Sequence, residues 1–92
     1  MPAVEYHFRQ TGQARRLLYT CVTDALSKAL HDLHDGDAEP VRITWGARQL
    51  YDAAAIGRVY AACRAEMLAD RWQRPRSLDA AARRELQRPE PG

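Results

Sequence analysis

"TGQARRLLYTCVTDALSKALHDLHDG", residues 11–36, is the stretch whose reading decides the fold of this chain. On a helical wheel of about 100° per residue, Leu18, Cys21, Val22, Ala25, Leu26, Ala29, Leu30 and Leu33 fill nearly half the circumference. Arg16, Thr20, Asp24, Ser27, Lys28, His31, His34 and Asp35 occupy the other half. Thr11 is placed to cap such a helix, and Gly36 stands where a left-handed residue ends one. The pattern predicts one long helix over residues 13–35.

The flanks read as strands. In "AVEYHFRQ", residues 3–10, Val4, Tyr6 and Phe8 alternate with Glu5, His7 and Arg9, the period-2 signature of a half-buried strand. "EPVRITW", residues 39–45, alternates again, with Val41, Ile43 and Trp45 against Arg42 and Thr44. A strand, a long helix and a strand predict a right-handed crossover between parallel neighbours. After Gly46 two readings stand. "ARQLY" pairs back as a short antiparallel strand with Asp52 capping the next helix, or the helix starts soon after Gly46. The second is preferred, for a reason that comes from the wheel.

That second helix shows two apolar stripes. One holds Ile56, Val59, Tyr60, Cys63 and Met67. The other, roughly 120° around, holds Leu50, Ala54, Gly57, Ala61, Leu68 and Trp72, and Leu50 joins it only if the helix already includes residue 50. Ala53, Gly57, Ala61, Ala65 and Ala69 also form a row of small residues, a shallow groove into which a neighbouring helix can settle. A chain with 16 alanines yields such a row by composition as well, since Ala favours helix. Helix 47–73 would run about 40 Å against about 20 Å for a six-residue strand, so its far end should overhang the sheet.

The remainder, residues 74–92, is rich in Pro and Arg. "SLDAAARRELQR" can form a few helical turns, with Ser77 as N-cap and Pro89 beyond the end. It has few apolar groups, which predicts a mobile or loosely docked tail. The expected fold is therefore α+β: a small two- or three-stranded sheet with two long helices on one face, ordered β-α-β-(β)-α. Residues 1–73 make the domain and residues 74–92 a short, partly helical tail.

Composition bounds the function. Ninety-two residues allow one domain. The apolar fraction of 46% and charged fraction of 28% suit a globular, soluble chain. No run reaches the 18 or so apolar residues of a membrane span. The start lacks the apolar core of a secretory signal, so the expectation is a cytoplasmic protein with no membrane contact. The net charge is +2, and 13 of the 14 basic residues are Arg. Joint excess of Arg and Ala follows GC-rich coding, which weakens Arg content as a sign of a nucleic-acid partner. The charges divide as −1 over residues 1–37, +1 over 38–73 and +2 over 74–92. Cys21 and Cys63 both fall on apolar helical positions and read as buried free thiols.

Sites of chemistry are sparse. His31 and His34 lie three apart on one helix face beside Asp35 and Asp37, the sole candidate metal cluster, with imidazole and carboxylate donors but no third fixed ligand. A basic side chain near a helix C-terminus is also favoured by the dipole. No metal or other cofactor is expected. Ser27 and Ser77 have no histidine in a nucleophilic arrangement, and no phosphate-cradling glycine motif occurs. Glu5 and His7 share a strand face but not an enclosing pocket. No catalytic residues are assigned. A nucleic-acid binder could use Arg9, Arg42, Arg48 and the tail residues Arg83 and Arg84, but Tyr6, Phe8 and Trp45 alternate away from those cations, leaving no stacking platform.

The two-striped helix points instead to association. One stripe can lie on the sheet; the other needs cover, from a second copy or from the tail folding back. The functional expectation is a small protein-interaction or regulatory module acting as a homodimer. Its association surface is Leu50, Gly57, Ala61, Leu68 and Trp72. Open sheet edges could join as well.

Overall fold

The computed structural model describes residues 3–69 and 74–88. Strand β1 (Val4–Gln10) follows the expected alternation, with Val4, Tyr6 and Phe8 buried. The next element is not a helix. Thr11 and Gly12 take φ angles of 51° and 81°, the two positive values that a type I′ hairpin loop needs. The chain turns back as β2 (Gln13–Tyr19), paired antiparallel to β1 from Gln10↔Gln13 to Val4↔Tyr19.

Helix α1 (Val22–Asp35) therefore starts nine residues later than its pattern suggested. Cys21 is its N-cap residue, exposed and 3.4 Å from the Thr23 hydroxyl, so the expectation of a buried Cys21 fails. Gly36 ends the helix as expected, at φ 73°, its N–H donating to the Asp32 carbonyl.

Strand β3 (Glu39–Trp45) pairs with β1 antiparallel, with the register shifting at Val41. The predicted parallel neighbours are corrected: the hairpin reverses the chain before α1, so the helix connects β2 to β3, which flank β1 and run parallel to each other. Strand β4 (Arg48–Asp52) closes the sheet in the order β2-β1-β3-β4. Its two-residue loop begins with Gly46 at φ 61°, the glycine position of a type II′ turn.

Helix α2 (Ala53–Ala69) starts directly after β4, and the Asp52 carboxylate accepts the Ala55 N–H at 2.7 Å, a conventional N-cap. The early helix start is thus wrong. Leu50 belongs to β4, where it is the extra residue of a bulge between Tyr51 and Gln49. The described helix spans about 25 Å and β3 about 23 Å, which removes most of the expected overhang. Trp72 lies outside the described residues.

Among the described residues the fold is α+β, with four antiparallel strands and three helices. α1 packs on β1 and β3, α2 on β3 and β4, all on the face carrying Tyr6, Ile43 and Tyr51. Ile56, Val59, Cys63 and Met67 of α2 are buried as the first stripe predicts, and Tyr60 is partly buried.

The C-terminal segment is not loosely held over the part described. Helix α3 (Leu78–Leu86) buries Leu78, Ala81 and Ala82 in the same core. The Ser77 hydroxyl donates to Glu66 of α2 rather than to its own helix, the Ser77 N–H donates to the same carboxylate at 3.2 Å, and Arg74 pairs with Asp24 of α1. Two alanines and a leucine suffice because the surface they cover is small. Leu78→Ala should lower unfolding free energy by about 2–5 kcal/mol, measured by chemical denaturation. A loss under about 0.5 kcal/mol is what an undocked tail would show.

Candidate functional site

Three surface features could carry function, and each arises from the way the helices cover the sheet. The first is the outer face of α2. Its exposed positions are Ala53, Ala54, Arg58, Ala61, Ala62, Arg64, Ala65, Leu68 and Ala69, and Leu68 is 64% exposed. Arg58 is drawn off toward α3, where its Nε donates to Glu85 at 2.7 Å. Gly57 is half-buried, and a Cβ added there would meet no heavy atom within 4 Å. Of the expected association residues, the fold keeps Gly57, Ala61 and Leu68 on this face and separates Leu50 from them.

Leu50 instead lines a groove between β4, α2 and α3 with Ala54, Arg58 and the half-exposed Leu86. Arg48 and Arg88 stand at its rim, and Arg88 is 3.7 Å from Glu85. Arg83 and Arg84 are exposed on α3.

The second feature is the bare face of the sheet. It carries Arg9, Arg16 and Arg42. Arg16 donates to Glu5 at 2.9 Å, whereas Arg9 and Arg42 are register neighbours of Glu39 and Asp52 across the strands, without an ion pair to them among the described residues. A phosphate binding at Arg16 would compete with Glu5. His7 Nε2 is 3.7 Å from the same Glu5 carboxylate and 3.4 Å from the Thr44 hydroxyl. Glu5 and His7 are thus together as expected, on an open face.

The third feature was not legible in the sequence: a cleft between β2 and α1, lined by Phe8, Gln10, Arg15, Leu17, Lys28, Asp32 and Ala38 among others. At its base Asp32 is 1% exposed. A buried carboxylate is costly unless its oxygens are satisfied. Here Tyr6 donates to Oδ2 at 2.7 Å and Lys28 to Oδ1 at 2.8 Å. The phenol of Tyr6 is held far above its ordinary range, first by burial and then by this hydrogen bond. The Lys28 ammonium is raised by its bond to Asp32. The i,i+4 spacing of Lys28 and Asp32 was the available signal; the partner, Tyr6, lies 26 residues away.

The metal candidate disperses. His34 Nδ1 sits 3.1 Å from the Tyr60 hydroxyl, joining α1 to α2, and among the described residues no three His, Cys, Asp or Glu side chains converge on a common point. Burial raises the Cys63 thiol above its ordinary range. No family model, curated protein or solved structure matches the chain.

Burial also pushes Tyr51 up to about 12, with the Glu85 charge adding to the effect, while its hydroxyl donates to the Ala82 carbonyl at 3.0 Å. Both effects favour the protonated phenol in the folded state. Its contribution is therefore complete below about pH 10 and is lost as pH rises towards 12, on the order of 2 kcal/mol. Tyr6 and Tyr19, also raised by burial, act in the same direction. Urea midpoints should fall steeply above about pH 10. Tyr51→Phe should flatten that fall while costing about 1 kcal/mol at neutral pH.

Proposed function

We propose that this chain is a small protein-interaction module that acts as a homodimer through the outer face of α2. The observation that carries the reading is that seven of the nine exposed residues of this helix are Ala or Leu. A helix apolar nearly all round is normally covered all round. Here the sheet, α1 and α3 cover one side and leave Ala61, Ala65 and Leu68 in water.

A second copy suits this face better than a charged partner does. The strip offers small side chains, which let two helix axes approach closely, and one leucine to insert beside the row. Two-fold pairing brings the same strip to both sides of the contact. Its cations do not prevent this, since Arg58 is engaged by Glu85 and Arg64 has a long stem that can reach solvent.

Native mass spectrometry and light scattering should then give twice the chain mass of 10.4 kDa. Leu68→Glu and Ala61→Glu should each raise the dimer dissociation constant at least tenfold, about 1.4 kcal/mol, with the thermal transition of the monomer retained. Arg84→Glu, on α3, should leave the mass unchanged. A wild-type monomer at high concentration would overturn the reading, and so would a dimer indifferent to both substitutions.

A further inference from the structure

Every residue of β2 is exposed except the half-buried Tyr19, and its outer edge has no strand beside it among the described residues. The hairpin fixes which groups point outward. In a two-residue loop the Gln10 carbonyl accepts the Gln13 N–H, and in an antiparallel ladder bonded and non-bonded residues alternate. Gln13, Arg15, Leu17 and Tyr19 therefore direct their backbone groups to β1. Ala14, Arg16 and Leu18 direct theirs away from the sheet.

Immediately beneath this edge lies the cleft of about 400 Å³ between β2 and α1. Phe8, Leu17 and Ala38 give it apolar walls, and Arg15 and Lys28 give it cations. Its one acid, Asp32, is buried and has both oxygens engaged, one by Tyr6 and one by Lys28. Arg15 makes no ion pair among the described residues. Arg16 is neutralised by Glu5, so the cleft holds two cations against one carboxylate.

We propose that β2 and this cleft bind an extended acidic segment of another protein, which adds as a strand beside β2 and places an Asp or Glu side chain between Arg15 and Lys28. Strand addition supplies main-chain hydrogen bonds to Ala14, Arg16 and Leu18, and alternate side chains of the incoming segment fall on the cleft side. The residue opposite Arg15 meets a guanidinium, for which a carboxylate is the favoured partner. The next residue on that side meets Leu17, where an apolar side chain fits. A second copy of β2 is a poor occupant, because it brings Arg15 and Arg16 of both chains together and adds no acid. This contact is separate from the homodimer face on α2.

The test uses the full chain, isotope-labelled for amide resonances, titrated with the synthetic peptide acetyl-Thr-Val-Thr-Glu-Thr-Val-Thr-amide, which puts one Glu flanked by two Val on the same side of the strand. Saturable shifts and slowed hydrogen exchange are expected at the amides of Ala14, Arg16 and Leu18. The same peptide with Lys in place of Glu should bind at least tenfold more weakly, as should one N-methylated at alternate residues. Arg15→Glu should weaken the acidic peptide at least tenfold, and Leu68→Glu should not change its affinity. Equal binding of the Lys or N-methylated peptide would overturn the proposal. So would an absence of shifts at these amides. Concentration-dependent shifts of the same amides without peptide would show a second copy on this edge and would overturn it too. Because Leu68→Glu breaks only the α2 contact, failure of the homodimer leaves this outcome readable.

Discussion

The sheet is organised by a turn that only a few residue pairs can make. Thr11 at φ 51° and Gly12 at φ 81° reverse the chain with the twist that antiparallel strands require. Holding a threonine in the left-handed region costs roughly 1–2 kcal/mol, which the β1–β2 ladder must offset. Once the chain has turned there, β2 is committed to the outside of β1. The helix that follows can return only over the top, to begin β3 on the other flank. β1 thereby becomes an interior strand, and its Tyr6 becomes 0% exposed.

That placement makes the Tyr6–Asp32 contact available. Asp32 sits on the sheet side of α1, where an uncompensated charge would be expelled or neutralised. One oxygen takes the phenol of the central strand and the other takes the ammonium one turn back along its own helix. The arrangement joins α1 to β1 by a bond with one allowed geometry, where apolar packing alone would permit sliding. It also leaves Lys28 half in solvent beside Arg15. The same cluster that orients the helix on the sheet thus sets the charge of the neighbouring cleft.

The period-2 strands and the Gly36 stop were legible because each has one face in the core. β2 was not. Its inward residues include Arg15 and Leu17, its outward ones Arg16 and Leu18, so polar and apolar residues come in pairs and no alternation survives. The paired pattern mimics two further turns of α1, and Thr11-Gly12, which suits a helix cap by residue type, is a hairpin loop. The same difficulty makes β4, one of the two readings open after Gly46, the less favoured one: the bulge at Leu50 breaks the alternation and lends that residue to a helical seam. α3 is hard to read for another reason. Leu78, Ala81 and Ala82 are fully or nearly buried, although three small contacts look weak when counted along the chain. For the candidate surfaces, the α2 strip was visible as a stripe, whereas the cleft joins residues from β1, β2 and α1 and no local pattern announces it.

A chain this short has too little material to cover everything it folds. Among the described residues three helices lie on one face of the sheet, α1 over β1 and β3, α2 over β3 and β4, and α3 at β4. α1 reaches the central strands and leaves the inward side chains of β2 partly in water. α2 lies over β3 and β4 and meets α1 and α3 along its flanks, so among the described residues its outward side has no layer above it. The two deficits differ in chemistry. On α2 what is uncovered is small and apolar, and like surface satisfies it. On β2 what is uncovered is a row of backbone donors and acceptors next to net positive charge, and like surface repeats the charge instead of answering it. The two surfaces therefore call for different occupants: the first for the same chain, the second for an extended strand that carries acids.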